Sequence, residues 1–417
     1  MHISIISQFY DPEPEPIPHQ IAKGMVTRGH KVTVITGFPN YPYGRIFPGY
    51  KQKMWQWEEL DGGRVLRLPL YPDRSYSHVR RLACYFSLAL SASLAGPIAF
   101  SNADVIFVYH PITLCIPAWM IGFTHKVPFV INIQDMYPES LTSTQIVKDR
   151  RVINAVDKFA KFMYKKAAAI AVISPGFKRN LCIKGVPEER IHVIYNWADE
   201  SIFYPAPRNE ALATEYGFAG KFNILYAGSM GPPQGLHNVI DAASFLTDIK
   251  DLQFVFIGDG LERESLENET RDRNLKNVFF LPRQPVSKMP AFSALADIQL
   301  VHLIDSPLFE ITIPSKTQSC LACGRPIIIC GRGDAKELVL RAGAGVSVQP
   351  SDPQDLARAV RDLYKMTPAE RQVLGDSGRR FFLENLTLDI ALSEYENLFA
   401  NVVSNFNRRN KCKVKAA

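Results

Sequence analysis

The sequence predicts an α/β protein of two facing, doubly wound Rossmann-like domains with an inter-domain cleft. Three observations lead there. With 417 residues the chain is longer than one hydrophobic core covers and suits two domains of ordinary size. Short, continuous apolar runs recur along it, the pattern of parallel strands covered on both faces by helices. The series breaks once, in a stretch rich in Pro, Ala and Gly, and then restarts.

Taken in order, the first series places strands near residues 2–7, 31–36, 65–70, 105–109, 129–133, 169–174 and 191–195. "GHKVTVIT" opens on Gly29, expected to cap the preceding helix in a left-handed conformation before a buried strand. The second series places strands near 222–226, 254–257, 278–280, 298–302, 326–330 and 345–349. Between them "ADESIFYPAPRNEALATEYGFAG" lacks hydrophobic period and reads as a linker. The expected division is therefore an N-terminal domain over 1–198, a linker over 199–220 and a C-terminal domain over 221–385. Residues 386–417 read as a helix returning to the first domain, followed by a basic tail. Ligands of such sheets bind beyond the carboxyl ends of the strands, so the loops there are the places to search.

Hydrophobic residues at 47% and charged residues at 21% describe a soluble globular enzyme. A net charge of +7 suits anionic partners: sugar nucleotides, phospholipid headgroups or nucleic acid. Seven cysteines, an odd number without a framework of pairs, suit reduced thiols and a cytoplasmic location. Cys320 and Cys323 form a C-x-x-C without a second pair or a nearby His, so they read as packing rather than as a metal site. The opening "MHISIISQFY" reads as a strand, without the charged start of a signal peptide. One apolar segment, Leu82 to Phe100, follows Arg80 and Arg81. A helix buried against the sheet, one lying at a membrane surface and one crossing the membrane are its three readings.

Chemistry concentrates in the loops. "YAGSMGPPQGL" couples a strand to a Gly-rich turn, and its Gly228, Ser229, Gly231 and Gln234 would let backbone N–H groups reach a diphosphate. "FVFIGDG" brings Gly258 to a second such turn, and "NVFFLPRQP" brings Arg283. "ITIPSKTQSCLACGRPIIIC" offers Pro314, Ser315, Lys316 and Ser319 ahead of a buried run. In the first half "VYHPITL" sets His110 after a strand, and "IQDMYPES" sets Asp135 and Glu139 after the next. "YDPEPEPIPHQ" stiffens the first loop with prolines and ends near His19, which could reach toward donor phosphates.

The series GHKVTVIT, YNWADESIF, YAGSMGPPQGL, FIGDG, NVFFLPRQP, PSKTQSCLACGRPII and GAGVSVQPSDPQDLARAV resembles glycosyltransferase family 4, the retaining GT-B type, over nearly the whole chain. It is most similar to the branch that builds bacterial surface polysaccharides, exopolysaccharide and O-antigen among them, and that includes L-fucosamine transferases. The resemblance implies a nucleotide-sugar donor, UDP favoured, held by the C-terminal domain without metal or other cofactor. It implies a glycan or polyprenyl-diphosphate-linked acceptor, peripheral association with the inner face of a membrane, and no nucleic acid. The family's Glu-x7-Glu element falls on Ile311 and Ser319, with Glu310 one position from the first. Its Arg and Lys after the first C-terminal strand are replaced by Ser229 and Gln234, which leaves Lys316, then Arg283, to neutralise the diphosphate. Catalytic roles are thus implied for His110, Asp135, Lys316 and Glu310, and acceptor-side roles for His19, His110, Asp135 and Glu139. An inactive GT-B scaffold and a sugar-nucleotide 2-epimerase are the rival readings.

Overall fold

The computed structural model describes residues 1–73, 78–100, 102–143 and 149–415, without the side chains of 78, 79, 81, 142, 143 and 410–415. Contacts divide the chain into two units, Met1–Ile194 with Leu392–Ala417, and Tyr195–Ala391. The divisions fall between 194 and 195 and between 391 and 392, rather than at the expected 198 and 385.

The N-terminal unit carries an eight-stranded sheet in the order β3-β4-β2-β1-β5-β6-β7-β8. Its strands are β1 His2–Ser7, β2 Lys31–Gly37, β3 Gln56–Leu60, β4 Gly63–Leu68, β5 Val105–Tyr109, β6 Phe129–Ile133, β7 Ala169–Val172 and β8 Ile191–Val193. All pairings are parallel except that of β3 with β4. Apart from the ends of β1, β2, β4 and β8 and all of β3, these strands are buried throughout, which is why they read as unbroken apolar runs. The β3 edge was not expected: "QWEEL" has three polar residues in five at a half-exposed margin, so it carries no such run. Gly29 adopts φ +82° and ends the Pro16–Thr27 helix as expected, its N–H donating to the Val26 carbonyl at 2.9 Å.

The Leu388–Lys415 helix closes this unit. Buried Tyr395 meets Phe107 edge-on at 5.3 Å between centroids, and its hydroxyl accepts from Asn132 at 2.8 Å. Glu396 receives Arg28 at 2.9 Å and His30 at 2.8 Å. Aromatic burial of this kind, worth several kcal/mol per side chain, ties the end of the chain to the sheet laid down first.

The second unit has six parallel strands in the order β11-β10-β9-β12-β13-β14. They are β9 Phe222–Ala227, β10 Leu252–Ile257, β11 Val278–Leu281, β12 Ile298–His302, β13 Ile327–Cys330 and β14 Gly345–Val348. The presumed linker is part of this unit. Its Glu210–Glu215 helix and the turn at Gly217 bury Ala213 and Phe218 against Phe292 and Leu295, anchors too few to register as a period. In each sheet the strand order reverses at its first strand, β1 or β9, and a crevice opens at such a switch point.

Candidate active site

The switch point of the second sheet is lined by the loops after β9 and β10, which run side by side. The Gly228 N–H donates to the Ile257 carbonyl and the Met230 N–H to the Asp259 carbonyl, both at 2.9 Å, and the Glu262 N–H donates to the Met230 carbonyl at 3.0 Å. Only glycine permits this approach: at Gly258, φ +149°, a Cβ would stand 1.9 Å from the Gly228 carbonyl oxygen. Arg263 locks the arrangement from behind, its Nη1 donating to the Gly258 carbonyl and, at 2.9 Å, to that of Leu281.

Above these loops lies a cavity of about 610 Å³. Gly228, Ser229, Gln234 and Gly258 line it from the glycine loops, and Pro314, Ser315, Lys316 and Ser319 from the Ser315–Cys323 helix. Exposed Arg283 lies on its rim. Gly231 is not in the lining; its N–H holds the Gln234 side chain at 3.2 Å, so both serve the shape of the loop. Glu310 is also outside the lining. It is exposed at the end of the short Pro307–Glu310 helix, with its backbone pressed on Gly333.

Lys316 reaches across the cavity floor, its Nζ 3.3 Å from the centroid of the Tyr226 ring. The Tyr226 hydroxyl donates to the Ser229 carbonyl at 2.5 Å, fixing the ring as a platform. Packing around the half-buried lysine holds its ammonium down to about 7, and no carboxylate lies within ion-pair distance of it among the described residues. Beneath, buried His302 donates from Nδ1 to the Gln234 carbonyl at 2.6 Å, so its Nε2 accepts from Asn238 at 3.1 Å. Burial lowers His302 to about 4 and keeps it neutral. The Ser319 hydroxyl donates within its own helix to the Ser315 carbonyl at 3.3 Å. The Cys320 thiol is pushed by burial up to about 12, as expected of packing rather than chemistry.

The switch point of the first sheet is of another kind. His110 Nε2 lies 3.5 Å from Asp135 Oδ2, and the imidazole stacks on Tyr137 at 6.2 Å. Both residues line a shallow depression at the ends of β5 and β6. Glu15 sits in the same field: it accepts from the Tyr109 hydroxyl at 2.9 Å, and burial raises its carboxyl above the usual range. Two residues expected here are engaged elsewhere. Glu139 is held by Lys184 at 2.7 Å and Asn180 at 3.1 Å, and His19 is turned along its helix to Asp61 at 3.0 Å.

Sequence reasoning missed Tyr226, His302, Arg263 and Glu15. Tyr226 and His302 sit inside strand runs and read as core, Glu15 lay among prolines, and Arg263 carries no local signal. Expected membrane contributions from Arg81 and from the tail beyond residue 409 lie outside the described side chains.

Residues 14–197 match the model of the Glycosyl transferase 4-like domain, and residues 210–381 that of Glycosyl transferases group 1. WcaI of Escherichia coli (strain K12), named for colanic acid biosynthesis, is 26% identical over 356 residues, covering 82% of this chain and 86% of its own. WbjE of Pseudomonas aeruginosa, named as a glycosyltransferase, is 24% identical over 318 residues, covering 75% and 77%. HepE from Anabaena, solved in complex with UDP, superposes with a TM-score of 0.73 at 17% identity, covering 96% of this chain and all of that one. That likeness shows the GT-B fold class. With the two domain models matching one after the other along both units, the chain belongs to the glycosyltransferases, as the motifs from "GHKVTVIT" to "PSKTQSC" implied.

Proposed function

We propose that the protein transfers a sugar from a nucleoside diphosphate, UDP favoured, to a lipid-linked glycan in cell-surface polysaccharide synthesis, with retention of configuration and without a metal. The observation that carries this is Lys316, a lysine aimed into a cavity floored by glycine loops and seated on Tyr226, with no carboxylate at ion-pair distance among the described residues. Its natural counter-charge is the ligand's. The Ser315–Cys323 helix starts at the same wall, and its first N–H groups favour anions. UDP bound to HepE and the polysaccharide named for WcaI support this choice of donor and product.

In this reading the bond from the anomeric carbon to the β-phosphate oxygen breaks while the acceptor oxygen joins that carbon on the same face. The acceptor proton passes to the departing phosphate oxygen, so no separate base is required. Lys316, with Arg283 at the rim, stabilises charge that grows as the diphosphate leaves, and that difference is what accelerates the step. His110 and Asp135 orient the acceptor hydroxyl. Ser319 offers the ribose one hydroxyl where a carboxylate would accept twice, so nucleotide binding is weakened rather than chemistry lost. The protein works on the cytoplasmic side, peripherally associated with the inner membrane.

The Ser319 hydroxyl, spent on the Ser315 carbonyl, favours one rival: a nucleotide-binding scaffold without activity. Incubating the purified protein with a panel of UDP- and GDP-sugars and a polyprenyl-diphosphate-linked acceptor, with and without EDTA, separates the two. Transfer unaffected by EDTA is expected. Nucleotide binding without transfer or donor hydrolysis would select the scaffold, and an epimerised donor without acceptor the 2-epimerase.

A further inference from the structure

We infer that the N-terminal unit docks flat on an anionic lipid leaflet through the outward face of the His78–Ala99 helix, flanked by the aromatic and basic loop 41–57. This rests on the reading of a lipid-linked acceptor and adds to it the surface and the orientation.

The helix has two faces. Cys84, Leu88 and Ala92 are buried in the unit, and Leu88 packs near Leu70 beside Gly37. The Ser91 hydroxyl donates to the Pro69 carbonyl at 2.7 Å, and the Ser87 hydroxyl accepts from the Tyr71 N–H at 2.8 Å. The other face sets Leu82, Phe86, Leu90, Leu94 and Ile98 at intervals of four residues, from 43% to 83% exposed. Phe123 of the neighbouring Cys115–His125 helix adds a further apolar side chain, 79% exposed. A contiguous apolar surface of this extent marks an interaction site. At 22 residues, ~33 Å, the helix is long enough to cross a bilayer. Crossing would strip the bonds of Ser87 and Ser91 and expose the buried face, so the helix lies in the plane of the interface.

The loop 41–57 belongs to the same surface. Residues 69–71, which bond to Ser87 and Ser91, also bond to this loop, since the Leu70 N–H donates to Gln52 Oε1 at 2.8 Å. Tyr43, Met54 and Trp55 are 68%, 75% and 64% exposed there, beside exposed Arg45, Lys51 and Lys53. Not one Asp or Glu occurs in residues 41–57, 78–99 or 112–127. Aromatic rings interleaved with cations around an aliphatic stripe match a headgroup layer over acyl chains. A glycan would need hydrogen-bonding groups along the stripe, which Leu and Ile lack. A second copy would bring cations against cations, because a two-fold contact pairs a patch with itself.

The test is sedimentation of the full chain with phosphatidylcholine vesicles, with and without phosphatidylglycerol. The variants are Leu94→Glu/Phe123→Glu and, in the other unit, Val373→Glu at an equally apolar, 63% exposed site. The protein should partition onto the anionic vesicles. The double variant should lose at least tenfold in partition coefficient at an unchanged unfolding midpoint, and Val373→Glu should lose nothing. Wild-type protein that stays in the supernatant, or a double variant that still sediments, would overturn the inference. So would a concentration-dependent dimer, without vesicles, that the double substitution abolishes. UDP binding by the same proteins keeps the two readings apart: vesicle binding without nucleotide binding sinks the transferase reading alone, and the reverse sinks the docking surface alone.

Discussion

The two candidate sites of this chain lie at the carboxyl ends of strands beside β1 and β9, where each sheet reverses its order, and are built from different materials. Beyond β9 and β10 two glycine loops bonded backbone to backbone form the floor, with Lys316 seated over Tyr226 and Arg283 at the rim. Beyond β1, β5 and β6 the walls are polar side chains: Glu15, His110, Asp135 and the tyrosines at 109 and 137. The difference teaches a division of labour. A diphosphate is the same in every donor and suits a rigid cradle of N–H groups with a fixed charge, whereas an acceptor hydroxyl must be oriented and its proton managed.

The largest way to break that contrast is to give the cradle a side chain. Gly258→Val places a Cβ within 1.9 Å of the Gly228 carbonyl, and backbone cannot yield as a side chain tip can. UDP binding should vanish from calorimetry, with a stability loss of ~3 kcal/mol or more from strain at a special backbone conformation. Next comes Lys316→Ala, which should cut turnover roughly a hundredfold, ~3 kcal/mol, while donor affinity falls much less. Steady-state kinetics with the matched donor would read both, and unaltered turnover would move the counter-charge to Arg283.

A third effect follows from protons. Burial lowers Lys316 to about 7 in the folded chain against 10.5 for an ordinary lysine, so between those values the unfolded chain binds more protons and folding stability rises with pH from this group. UDP acts the other way. A bound anion restores the ammonium, so affinity should fall from pH 7 to pH 9, by at most ~tenfold per unit. The slope should disappear in Lys316→Ala. Replacing His110 or Asp135 instead should raise the acceptor KM and leave the UDP titration alone, which sharpens the contrast between the two sites. The smallest expected effect is at Ser319: Ser319→Glu should tighten UDP by a few-fold with little change in turnover, because a carboxylate accepts two hydrogen bonds where the present hydroxyl is spent on Ser315.

Most of the fold was legible because parallel strands buried on both faces must be continuously apolar, and thirteen of the fourteen announce themselves that way. β3 did not, since "QWEEL" at an edge half in water has neither an apolar run nor a clean alternation. The donor cradle was legible from its glycines and from Lys316, whose roles depend on local backbone. What stayed hidden depends on tertiary placement. Tyr226 looks like any aromatic in a buried strand until Lys316 arrives from about ninety residues away. His19 stands close in sequence to the first loop, yet its ring pairs with Asp61, in the Asp-Gly turn that joins β3 to β4, a partner that only the tertiary fold brings to it.

One measurement bears most directly on the central claim that Lys316 is the counter-charge of a nucleoside diphosphate. It is calorimetric titration of UDP into wild-type protein and Lys316→Met, at pH 8 in buffers of different ionisation enthalpy. Binding with uptake of close to one proton per UDP is expected in the wild type, and weaker binding with no uptake in the variant. UDP bound equally by both proteins, with no proton taken up by either, would contradict the claim.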